Sequence, residues 1–174
     1  MDEGEEEPVT ADEFRKRLAA SGAVEFGDSK LRLLSRAQTP AFAGPISGSV
    51  HYGIERSRLT RGRGVLSGTQ DWLMILDDHL LWITGRVAVE NNEQTLTVDH
   101  QFYPLTSVRA SLRAEYVPTM SDGMVLRAAH LEVTGATPPL VVDADAERAA
   151  NDGTLEPESV VLFAQHLTAR ATSR

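Results

Sequence analysis

A chain of 174 residues, 41% hydrophobic and 24% charged, is long enough to bury a core without staples, and its net charge of −8 disfavours general polyanion binding. The lack of cysteine excludes disulfides, thiolate metal centres, iron–sulfur clusters and cysteine nucleophiles together. No apolar run approaches the roughly 18 residues of a spanning helix, and the opening "MDEGEEEP" lacks the basic and apolar segments of an export signal, so a soluble cytoplasmic protein is expected.

Residues 1–9 combine an acidic run with Pro8 and have little to bury, which predicts a disordered tail, with residues 10–174 forming one domain. In "TADEFRKRLAASG", Thr10 and Glu13 have the spacing of a capping box, Ala11, Phe14 and Leu18 share a helical face, and Gly22 supplies a stop. Beyond this helix the period changes to two. "LRLLS" (31–35) predicts a first strand and "TPAFAGPISG" (39–48) a loop. Ile46, Val50, Tyr52 and Ile54 share one parity, the pattern of a half-buried strand. Arg56 and Arg58 continue that parity. Two guanidinium groups on a core face would be desolvated, so the strand is expected to leave the sheet near Ile54 and present Arg56, Arg58, Arg61 and Arg63 on a glycine-punctuated loop.

"DWLMILDDHLLWITG" predicts a tight hairpin: Trp72 to Leu76 and Leu80 to Thr84 flank Asp77, Asp78 and His79, and both strands read as covered on two sides. A second hairpin follows, turning at Asn91, Asn92 and Glu93, with Leu96, Val98, His100 and Phe102 on one parity. "VRASLRAEYV" alternates cleanly, with Arg109, Ser111, Arg113 and Glu115 on a wet face. "MVLRAAHLEV" (124–133) breaks parity around Ala128 and Ala129, as a bulge does. "PLVVD" (139–143) adds a strand. The acidic segment 143–153 reads as a solvated loop, and Pro157 starts a helix with the stripe Val160, Phe163, Ala164, Leu167 and Ala171. The expected fold is mainly β (α+β): an antiparallel roll or partly open barrel of about seven to eight strands between a short N-terminal helix and a C-terminal capping helix.

The segment "MILDDHLLWI" joins two apolar strands by a turn, with Leu80 at the Leu of a Thr-x-x-Arg-Leu pattern and Leu76 and His79 replacing its Thr and Arg. "FYPLTSV" (102–108) then leads into the strand ending at Val117. With the terminal helix, this order over roughly residues 72–170 resembles the bacterial pleckstrin-homology-like domains. The resemblance implies a partly open barrel plugged by a helix and a non-catalytic binding module, in some members attached to anionic lipid; it assigns no binding residue.

The four loop arginines offer fixed forks of donors suited to phosphate or carboxylate. Arg109 and Arg113, near Arg127, form a second basic set. An acidic protein or an anionic lipid headgroup is the expected partner; the competing reading is that these arginines pair with the chain's own carboxylates. Nucleic acid is disfavoured, because the body is near neutral and no aromatic residue separates the loop arginines.

No cofactor or metal is expected. His51, His79, His100, His130 and His166 lack metal-ligand spacing, and residues 143–154 place Arg148 and Thr154 where a calcium loop needs Gly and Glu. Catalytic signatures are absent: "GVLSG" and "GPISG" are not nucleophile elbows. A non-catalytic module is therefore the leading reading. A homo-oligomeric structural subunit pairing through sheet edges or terminal helices, and an enzyme with a pocket in the barrel mouth, are the alternatives.

Overall fold

The computed structural model describes residues 8–13, 16, 23–26, 29–32, 44–62, 65–91, 93–152 and 155–173. The fold is mainly antiparallel β with a C-terminal helix. Its strands are β1 (Val9–Thr10), β2 (Ala23–Phe26), β3 (Ser29–Arg32), β4 (Ser49–Gly62), β5 (Val65–Leu76), β6 (His79–Glu90), β7 (Glu93–Pro104), β8 (Arg109–Pro118), β9 (Met124–Thr134) and β10 (Leu140–Asp145); α1 (Ala146–Asp152) and α2 (Pro157–Thr172) follow. One sheet has the order β1-β4-β5-β6-β7, a second β10-β9-β8, and β2 pairs with β3; none closes into a barrel. The chain divides into two compact units, Met1–Phe102 and Tyr103–Arg174.

In the first unit the β5–β6 hairpin is the centre, because its apolar runs leave no polar face. Trp72, Leu73, Met74 and Ile75 are all fully buried, so β5 is covered on both sides as expected. Trp72, Met74 and Leu76 cluster with Ala11, Ile46, Val50, Leu81 and Ile83, and Leu96 and Val98 of β7 pack against them. Full burial of such side chains contributes roughly 1.5–3 kcal/mol each. Asn91, at φ 51, opens the two-residue connection from β6 to β7, where a left-handed residue matches the strand twist.

The expectation of one shared face for Ile46, Val50, Tyr52 and Ile54 is corrected. All four are buried, but the β4–β5 register shifts between Val50 and Tyr52. Val50 lies opposite Leu76 in the cluster, whereas Tyr52 and Ile54 lie opposite Ile75 and Leu73 on the other face. One extra residue, His51, reverses the alternation.

At the N-terminus the Glu13 N–H donates to Thr10 Oγ1 at 3.2 Å, the capping bond expected, and Ala11 is buried. Phe14 and Leu18 lie outside the described residues, as do Leu33–Ser35 and residues 39–43. Val9, placed in the tail by its neighbours, pairs with Val50.

The second unit is a three-stranded meander under one helix. Leu112, Leu131 and Val142 form one cross-strand row, and Ala114, Ala129 and Ala144 the next. Val160, Phe163, Ala164 and Leu167 of α2 are buried, as their helical spacing predicts, and α2 packs on all three strands. The register shift in β9 falls at Arg127, since Glu115 pairs with Ala128 and Tyr116 with Leu126; this is one residue from the parity break in the sequence. Segment 143–153 is not the loop expected. It ends β10 and begins α1, because Asp145 Oδ1 accepts the N–H groups of Glu147 (3.0 Å) and Arg148 (3.1 Å) as an N-cap.

Candidate functional site

The arginine run does not leave the sheet at Ile54. β4 continues to Gly62, with Arg56 opposite Asp71, Arg58 opposite Thr69 and Arg61 opposite Leu66; Arg63 lies outside the described residues. Arg56 escapes the desolvation penalty expected to expel it because a carboxylate stands on the facing strand. Arg56 donates to Asp71 Oδ2 from Nε (3.1 Å) and Nη2 (2.9 Å). Asp71 Oδ1 accepts from Thr84 Oγ1 (2.8 Å) and Trp82 Nε1 (3.3 Å), and Asp71 is 8% exposed. A guanidinium with both charge and donors matched is tolerated beside an apolar layer. Asp71 was missed, yet a signal for it existed: pairing Ile54 with Leu73 places Arg56 opposite Asp71 two residues further on.

The strand arginines stand differently. Arg109 and Arg113 are exposed on the face of β8 opposite the helix-packed rows, paired in register with Thr134 and His130. They are on one face, as the alternation predicts, whereas Arg127 is the extra residue of the β9 bulge.

Across that open face the register assembles two polar rows. Arg113 neighbours His130, and His130 neighbours Asp143; Glu115 and Asp145 flank Ala128. His130 Nδ1 is hydrogen-bonded to Asp143 Oδ1. Arg113 Nη2 and Glu115 Oε1 are 3.9 Å apart with both side chains exposed, a loose pair contributing little. The small Ala128 side chain leaves a depression of about 250 Å³, rimmed by Arg113, Glu115, His130, Asp143 and Arg148. The Asp145 cap fixes the start of α1 and so brings Arg148 to the rim. No carboxylate among the described residues lies within ion-pair distance of the exposed Arg148 guanidinium.

The depression is lined by arginine, histidine and carboxylate side chains around small alanines, so it offers both donors and acceptors. Elsewhere, Asp77 ties the β5–β6 turn to β4, accepting the Ser49 N–H at 2.9 Å and meeting His51 Nε2 at 2.8 Å. His79 pairs with Asp78 at 2.7 Å and sits edge-on to Phe102 with ring centroids 6.4 Å apart. These contacts pin the hairpin. Among the described residues no three His, Cys, Asp or Glu side chains converge to hold a metal ion, and no helix is long and apolar enough to cross a membrane.

Compared with family models, curated proteins and solved structures, the chain has no match to any of the three.

Proposed function

We propose that this protein is a non-catalytic binding module that recognises an acidic segment of a partner protein on the open face of the β8–β9–β10 sheet. The observation that carries the reading is the convergence of Arg113, His130 and Arg148 on one exposed depression, with no carboxylate among the described residues in ion-pair distance of Arg148. Arg56 serves the fold through Asp71, so recognition moves from the arginine run to the strand set, of which Arg113 is the central member. A carboxylate side chain fits between two guanidinium forks that each keep N–H groups unshared.

An acidic peptide fits better than an anionic membrane. Residues 103–174 carry six basic and nine acidic groups, and a charged bilayer responds to that net negative charge. A peptide side chain instead responds to the local pattern, where Asp143 and Asp145 are already engaged with His130 and with the α1 cap. Fold alone would leave the ligand of a pleckstrin-homology-like module open, so the reading rests on the site.

Titration of the isotopically labelled chain with a short polyglutamate peptide at low salt tests the reading by amide shift mapping. Shifts centred on Arg113, His130 and Arg148 are expected. Shifts confined to residues 56–62, or none, overturn it.

A further inference from the structure

We infer that two copies of this chain pair antiparallel through their β8 edges, about a two-fold axis at Ala114, to make one continuous six-stranded sheet. The inference goes beyond anion recognition: it shares Arg113 with that reading but starts from the open edge of β8. β8 ends the order β10-β9-β8, so one of its long sides has no strand partner among the described residues. It is ten residues long, and seven of them, Arg109, Ser111, Leu112, Arg113, Glu115, Tyr116 and Pro118, are exposed in the whole chain. A long open edge with unpaired N–H and C=O groups is a template for another strand unless charges, Pro, a bulge or a covering element blunts it; β8 ends in Pro118, and its charges Arg113 and Glu115 are of opposite sign and can match a second copy. The one bulge nearby lies in β9, on the covered side.

The side chains select the partner. In an antiparallel pair centred on Ala114, Arg113 of each copy faces Glu115 of the other, and Leu112 faces Tyr116, each contact occurring twice by symmetry. Leu112 and Tyr116 lie on the helix-packed face yet are 39% and 53% exposed, an apolar strip only partly covered. The pairing would extend the Val142–Leu131–Leu112 row onto the second copy's Tyr116. Within one chain Arg113 and Glu115 are only loosely paired at 3.9 Å, which leaves both available. Moving the axis to Arg113 sets two guanidinium groups opposite each other, and moving it to Glu115 sets two carboxylates opposite each other. Charge therefore favours the Ala114 register over both neighbours. On the open face the same register joins the two polar depressions across the axis.

An interface built on one strand is small, so a dimer in the micromolar range is expected rather than an obligate one. Sedimentation velocity over a concentration series tests this together with two single charge reversals. R113E and E115R each set like charges opposite one another twice, and each should weaken the dimer by about tenfold or more. An equimolar mixture of R113E and E115R restores both ion pairs and should form a heterodimer at wild-type strength. Circular dichroism confirms that the variants are folded.

Because the chain has no cysteine, A114C and L112C each carry a single thiol. In the proposed register A114C faces itself and crosslinks on mild oxidation, whereas the L112C thiols are offset by roughly 13 Å along the strands. A concentration-independent monomer overturns the inference, as does a mixture no stronger than its components. Faster crosslinking by L112C than by A114C overturns the register.

Discussion

Arg56 and Asp71 face each other across β4 and β5, with the guanidinium giving hydrogen bonds of 3.1 and 2.9 Å to one carboxylate oxygen. The pair sits one row beyond Ile54 and Leu73, both fully buried, and it lets a charged residue follow an apolar strand without leaving the sheet. Asp71→Ala removes an acceptor shared by Arg56, Trp82 and Thr84. Urea unfolding should show a loss of about 3–5 kcal/mol, the cost of breaking a buried ion pair by deleting one partner. The double variant R56L/D71L should recover much of that loss; a D71A variant as stable as wild type contradicts the role.

Gly135 adopts φ +85, and a Cβ there would sit 2.0 Å from the Ser107 carbonyl oxygen. The close approach is to backbone, so no rotamer relieves it. Gly135→Ala should lower stability by several kcal/mol, above the ~1–3 kcal/mol of a strained φ alone, read as a large drop in Tm.

Asp145 links the fold to the proposed site through its cap on α1. Asp145→Ala should cost about 1 kcal/mol and also weaken polyglutamate binding by displacing Arg148, while Asp145→Asn, which still accepts at the N-cap, should retain most of both. Equal effects of the two substitutions would separate Arg148 from the cap.

Burial pushes the Tyr103 phenol above its ordinary value of 10.0. The folded chain then holds this proton more tightly than the unfolded chain, so the contribution to stability is whole below pH 10 and lost as pH rises through the folded value. Thermal scans above pH 10 should show Tyr103→Phe losing less stability with pH than wild type. Parallel curves would contradict the assignment.

The elements legible in the sequence are those set by local pattern. The continuous run Trp72 to Leu76 announced a doubly covered strand, the Val160–Leu167 stripe a docked helix, and the Arg109–Glu115 alternation a polar face. What was not legible depended on partners distant in sequence. Whether Arg56 is expelled or retained turns on Asp71, fifteen residues away on another strand. The flip of Tyr52 to the opposite face from Val50 turns on one bulged residue whose cost and benefit are tertiary. Of the depression, Arg113 is legible on its strand face, while in the sequence His130 is one of five scattered histidines and Arg148 a mismatch to a calcium loop. Their meeting is a consequence of β8–β9–β10 register and the Asp145 cap.

The most direct test sets two charge reversals side by side. Polyglutamate binding at low salt is measured by calorimetry for R113E/R148E and for R58E/R61E. The account predicts that the first pair weakens affinity by about tenfold or more while the second stays within about twofold of wild type. Loss of binding in R58E/R61E with R113E/R148E unchanged would contradict it.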